Sequence, residues 1–214
     1  MGRLRLDREF VLEWSSRYLD EMTPAERDQE SRLFDVLALS VQEQGFFTRS
    51  QFLEVGRWKA LRATGPMKAN SDGRVQYVTG LALSPSNRER ASTMTALAGV
   101  GLPMASALLT VWQPESYTIY DDRAQRSLER FGFGKMAFRW SYGFYLATCL
   151  EIVGGLDLPP DIPPLRRLDR ALWKHDQVES EGVWRAELLV PSSRPYRHTV
   201  ARGVHREVAV ARGT

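Results

Sequence analysis

An all-α fold follows from three features of this 214-residue sequence. Apolar residues recur at helical spacing through most of the chain. Helix-start signals stand where those patterns begin. Alternating, strand-like patterning is confined to the region past about Gln177. Composition agrees: hydrophobic residues make up 43% and charged residues 26%, the balance of a globular chain.

Phe10, Leu12, Trp14, Tyr18 and Leu19 sketch a first helix. Thr23 with Glu26 forms a capping box, and Pro24 suits the first helical position. The helix it opens carries Leu33, Phe34, Leu37 and Val41, and Gly45 stops it. Thr48 with Gln51 is a second capping box, opening "SQFLEVGRWKALRA", which Gly65 and Pro66 end. "DGRVQYVTGLALS" is expected to be helical despite its β-branched residues, because Val75, Val78, Leu81 and Ala82 share one face. "NRERASTMTALA" is a further helix, with Ser86 as its candidate cap. "DDRAQRSLERFG" is amphipathic, with Ala124, Leu128 and Phe131 inward and Gly132 at its end.

"FRWSYGFYLATCLEIVGG" reads as a long apolar helix and "LDLPPDIPP" as a stiff connector. "LRRLDRALWKH" is a short helix with Leu165, Leu168, Leu172 and Trp173 on one side. The prediction is a helical domain of roughly eight helices over 1–177. A basic appendage follows over 178–214, with Arg194, Arg197, Arg202, Arg206 and Arg212. Its "VWRAELLVP" and Val-rich end read equally as a two-strand β-hairpin or as a loose tail.

The totals exclude several function classes. A net charge of +3 permits a polyanionic partner without requiring one. Arginine outnumbers lysine, which suits bidentate phosphate contacts; a GC-rich genome has the same effect. The single cysteine, Cys149, rules out an intrachain disulfide and any cysteine-rich metal or iron–sulfur site, and reads as a small buried hydrophobe. His175, His198 and His205 have no metal-ligand spacing. "MGRLRLDREF" has no signal-peptide core, and the longest apolar run is broken by Glu151. A soluble, cytoplasmic protein is expected, with no membrane association and no obligate protein partner.

The stretch "TALAGVGLPMASALLTVWQPESYTIYDDRA", Thr95 to Ala124, carries the chemistry. Leu97 and Val100 are apolar anchors. Gly99 and Gly101 allow positive φ and close backbone approach. Pro103 suits the first turn of a second helix, and Ala105 lets the helices pack closely. A tight turn before a helix N-terminus presents N–H groups that bind phosphate without side-chain charge. An ordinary helix corner has the same local residues.

The run Leu97-x-Gly99-Val100-Gly101-x-x-x-Ala105 resembles the DNA-binding hairpin of the helix-hairpin-helix DNA glycosylase superfamily. In that superfamily an essential Asp follows the hairpin's second helix, after an apolar and aromatic stretch. Here "YTIYDDRAQRSL" occupies that place, and Asp121 lies 20 residues beyond Gly101, similar to the adenine- and oxidised-pyrimidine-excising branches. The resemblance covers Thr93 to Leu128, about a sixth of the chain, and extends by helix order over about 8–175.

It implies duplex DNA as partner, with contacts at Gly99, Val100, Gly101, Met104 and Arg123, and room for a monovalent cation at the hairpin but no other cofactor. It implies Asp121 as the catalytic residue, with adjacent Asp122 as the alternative; Arg123 is expected to pair with an acid or a phosphate. Bifunctional members carry a Schiff-base lysine two residues after the second glycine. This chain has Pro103 there, so the resemblance implies monofunctional excision that leaves an abasic site.

The flipped base needs aromatic faces and a few polar contacts. Candidates are Trp58, Lys59, Arg62, Asn70, Tyr120 and Tyr142. Trp58 and Arg62 share a face if the helix runs through both. Tyr117, Trp140 and Tyr145 are further aromatics in the same region of sequence. The excised base is a damaged one or a modified one from foreign DNA such as a phage's. Competing readings are a DNA-binding module without catalysis and a helical interaction protein whose corner contains "GVG".

Overall fold

The computed structural model describes residues 5–133 and 141–189, with side chains as far as residue 181. Among the described residues every regular element is helical, eleven α-helices in all. Part of the excess over eight is a four-residue helix at Thr64–Met67 and the division of one predicted helix by a π-type turn at Arg32–Leu37.

Helix α1 (Arg8–Asp20) begins at Asp7, whose carboxylate accepts from Phe10 N at 3.0 Å. Both capping boxes form as their sequences require. Thr23 and Glu26 close the start of α2 (Pro24–Ser31), and Thr48 and Gln51 the start of α4 (Arg49–Lys59). Each such cap is worth about 1 kcal/mol. Between them a π-type turn, Arg32–Leu37, leads into α3 (Ala38–Gln44), which Gly45 ends at φ 75°. Leu33, Leu37 and Val41 face the core.

Helix α4 ends earlier than its sequence suggests. Ala60 is extended (φ −162°, ψ 95°), and a 3₁₀ turn, Leu61–Ala63, follows. Gly65 and Pro66 therefore lie inside the short α5 (Thr64–Met67) instead of ending α4. The β-branched segment is helical as expected: α6 (Asp72–Leu83) buries Val75, Val78 and Ala82, though Leu81 is half-exposed. Helix α7 (Arg90–Met94) starts without a side-chain cap, so Ser86 does not serve.

Helix α8 (Leu102–Trp112) is the centre of the packing. Its residues are apolar on every side, and Met104 through Trp112 are all buried. Helices α3, α4 and α7 pack on it. Helices α9 (Asp122–Arg130) and α10 (Tyr142–Gly154) lead to α11 (Pro164–Leu189), which packs most extensively on α1 and α9. Cys149 lies in the core, and burial pushes its thiol up to about 12.

Helix α11 departs most from expectation. It runs 26 residues, through residue 177 and on to Leu189. The described part of "VWRAELLVP" is therefore helix, not a strand; residues 190–214 lie outside the described part, as does Trp140. The helix also buries charge beside its leucines: Arg166, Asp169, Arg170, Lys174 and Asp176. Arg166 and Arg170 donate to Glu30 on α2 at 2.5 Å each, and Arg166 also pairs with Asp169. Removing one partner from such a network costs more than the network itself contributes, because it leaves a buried charge unpaired. No described helix is long and apolar enough to cross a membrane.

Candidate functional site

The turn between α7 and α8 is built around Gly99. Its φ is 77°, and a Cβ there would lie 2.8 Å from both Met67 N and Met67 Cγ. Gly101 differs from expectation: its φ is −92° and ψ −179°, an extended conformation open to any residue. A Cβ on Gly101 would meet nothing nearer than Pro103 Cδ at 3.7 Å. Gly101 is exposed and caps α8 without any side-chain bond, so the first turn of the helix has no capping side chain. Val100 is not presented outward: its side chain is buried and its N–H donates to Leu97 O at 3.1 Å.

Asn70, a candidate base contact by sequence, is buried and braces this turn. It is 3% exposed; its Nδ2 donates to Met67 O and Ala98 O, and its Oδ1 accepts from Ala98 N at 3.0 Å. The side chain thereby satisfies backbone groups that no helix serves.

Asp121 arrives on segment 117–121, which two side-chain bonds help to hold. Tyr120 N donates to buried Ser106 Oγ at 2.8 Å, and Tyr142 Oη donates to Thr118 O at 3.0 Å. Tyr120 and Tyr142 thus position the aspartate from within the core; neither lines the space beside it. Asp121 is the N-cap of α9, with Oδ1 accepting from Arg123 N at 2.9 Å. Its Oδ2 is paired with Lys59 Nζ, the two side chains being 17% and 16% exposed.

Asp121 and Lys59 stand at the junction of two cavities. The outward one, about 430 Å³, is rimmed by Gly99, Gly101 and Met104 of the turn. Its charged lining is Lys59, Arg62, Arg123 and Arg126 against Asp121 and Asp122, a cationic excess. Leu61, at 71% exposure, stands in the turn between Lys59 and Arg62. The inner cavity, about 140 Å³, is walled by Tyr18, Trp58 and Trp173, with Arg166 and Asp169 beside Asp121. Asp122 reaches only the outward cavity. Trp58 and Arg62 do not share a helix face: extended Ala60 separates them, so Trp58 lines the inner cavity and Arg62 the outward one.

Electrostatics explains how the charges are held. Burial raises the carboxyl of Asp169, against the pull of Arg166 and Lys59. Burial also raises Tyr18, to about 12. Asp176 is 0% exposed and gathers Arg126 (2.7 Å), Arg130 (2.7 Å) and Arg123 (3.7 Å) on one face of α9. Arg123 also lies over the Trp173 ring at 5.1 Å, so its partners are an acid and an aromatic face. Burial alone would raise Asp176, but the bonds from Arg126 and Arg130 hold it below the usual 3.8. A lowered carboxylate stabilises the fold above its unfolded value and loses that contribution as pH falls through its folded value. Thermal melts of wild type and Asp176→Asn are expected to differ most at neutral pH and to converge below about pH 4. Curves that stay parallel down to pH 3 would exclude that ionised contact.

Residue pattern alone did not point to Trp173, Tyr18, Arg166, Asp169 or Asp176, which come from α1 and α11. The available signal was the density of alternating charge in "LRRLDRALWKHD", too rich for a helix whose apolar side is buried. No group of three or more His, Cys, Asp or Glu suited to a metal occurs among the described residues.

Comparison of the chain with protein-family models, with curated proteins and with solved structures gives no match.

Proposed function

We propose that this chain is a DNA N-glycosylase of the helix-hairpin-helix type, which flips a damaged or modified base and hydrolyses its glycosidic bond. The observation that carries the reading is the placement of Asp121. Its carboxylate stands between a cationic cavity rimmed by the Gly99–Gly101 turn and an aromatic-walled inner cavity.

The chemistry follows from that placement. The uncapped start of α8 and the α9 arginines grip the backbone phosphates flanking the target. Exposed Leu61 wedges into the stack from which the base departs. The base enters the inner cavity against Trp58 and Trp173, at an unstacking cost of a few kcal/mol. As the C1′–N bond breaks, positive charge grows on the deoxyribose, and the Asp121 carboxylate stabilises it and orients or deprotonates the attacking water. The products are free base and an abasic site. Pro103 removes the hairpin amine of a lyase mechanism, so excision is monofunctional. Substrates include modified bases of foreign DNA such as a phage's.

The ion pair that occupies Asp121 Oδ2 favours a second reading, a DNA-binding module without catalysis. An abasic-site assay over duplexes carrying deaminated, alkylated and hypermodified bases decides between them. The glycosylase reading expects cleavable abasic sites on at least one duplex. Salt-dependent DNA binding with no abasic sites would leave only the binding module. A borohydride cross-link to an abasic duplex would overturn the monofunctional assignment and give Lys59 an amine's role.

A further inference from the structure

We infer that the base this site accepts carries a bulky, hydroxyl-bearing substituent. The inference rests on the glycosylase reading, which places the sugar at Asp121 and the base beyond it.

The inner cavity, about 140 Å³, holds the volume of about five liquid waters, enough for one flat ring system and little more. Tyr18, Trp58 and Trp173 also wall a third cavity, of about 340 Å³, on the far side from the hairpin. That volume falls in the range of pockets that hold whole small ligands, about 300–1,000 Å³. A bare base seated at Asp121 fills the inner space and leaves the larger one to water.

The third cavity differs in chemistry from the first two. Its polar side chains are Glu21, Glu26, Gln29, Glu30, Lys174 and Gln177, beside the same aromatic walls. Lys174 is committed, donating to Glu21 and to Gln177 Oε1. Glu26 Oε2 takes the Thr23 cap bonds, and both Glu30 oxygens are held by Arg166, Arg170 and Tyr18. The second carboxylate oxygens of Glu21 and Glu26 and the amide of Gln29 remain to accept from hydroxyl groups. A phosphate- or carboxylate-bearing substituent would meet like charge at Glu26, which has no cationic partner among the described residues, while Lys174 is already taken by Glu21. An alkyl adduct would strip water from those groups without replacing its hydrogen bonds. Hydroxyls over aromatic faces satisfy both features, as those of a sugar carried on the base would.

The test uses calorimetric titration of the full-length protein with 2′-deoxycytidine, 5-hydroxymethyl-2′-deoxycytidine and the glucosylated form of the latter. Binding is expected to be at least about tenfold tighter for the glucosylated nucleoside than for deoxycytidine. Gln29→Trp, which fills the third cavity from α2, is expected to abolish that preference. Gln177→Trp, which fills it from α11, serves the same purpose should the first variant fold poorly. Equal affinity for all three nucleosides, or a preference that survives both variants, overturns the inference. Tighter binding of 5-aminomethyl-2′-deoxyuridine than of the glucosylated nucleoside overturns the hydroxyl assignment. The two readings fail separately. Release of small damaged bases without nucleoside preference removes this inference alone; nucleoside preference without base release from any duplex removes the catalytic reading and keeps the binding site.

Discussion

Asp121→Asn is expected to lower the proposed excision rate by about a thousandfold and to leave DNA affinity nearly unchanged. The substitution is well suited to isolate charge, because Asn caps a helix as well as Asp does. The bond from Arg123 N to the cap oxygen, 2.9 Å in the native chain, has an acceptor in either residue. The start of α9 and the turn before α8 should therefore survive, while the negative charge that the proposed mechanism sets against the sugar is lost. Lys59 loses its ionic partner, and water from the open cavity offsets part of that cost. Single-turnover excision and fluorescence-anisotropy binding on the same duplex read the two effects separately. Asp122→Asn is the control: that side chain reaches only the outward cavity, and its variant should excise at close to the native rate. Equal rates for Asp121→Asn and wild type would remove Asp121 from catalysis.

The two glycines of the turn are expected to fail in different ways. Gly99→Ala places a Cβ at positive φ and 2.8 Å from Met67 N. The backbone conformation costs about 1–3 kcal/mol and the overlap a similar amount. Urea denaturation should show that loss, with DNA binding impaired as a consequence. Gly101→Leu meets no obstacle in the fold, since the residue is extended and exposed. Its stability should stay close to native, while the leucine blocks approach of a phosphate to the start of α8. DNA affinity at low salt should fall about tenfold or more, the loss of charge-assisted hydrogen bonds. Native affinity in Gly101→Leu would exclude a phosphate-gripping turn.

Local features of this chain were readable because their causes are local. The capping boxes at Thr23 and Thr48, the stop at Gly45 and the buried face of α6 each depend on residues within one or two helical turns. The two glycines are alike by pattern but not by conformation: Gly99 turns at positive φ with its backbone against Met67, and Gly101 is extended and open. The shared face of Trp58 and Arg62 failed at Ala60, which no breaker residue announces. Asn70 looked like a loop residue and proved a brace, since its partner Ala98 lies 28 residues away. The buried charges of α11 were the least legible. Arg166 finds Glu30 across 136 residues and Arg126 finds Asp176 across 50, and only tertiary contact shows that such charges are satisfied. For the same reason pattern does not bring the aromatic walls supplied by Tyr18 and Trp173 to the site, whereas Asp121 enters through the resemblance of the Thr93–Leu128 stretch to a glycosylase hairpin.

The most direct test of the proposed chemistry is mass spectrometry of the small molecules released when the full-length protein is incubated with duplex DNAs, glucosylated phage DNA included. The account predicts a free base in the filtrate, matched by an equal yield of abasic sites in the DNA, from wild type and not from Asp121→Asn. DNA that is bound with salt-dependent affinity and yields no free base from any source would contradict it.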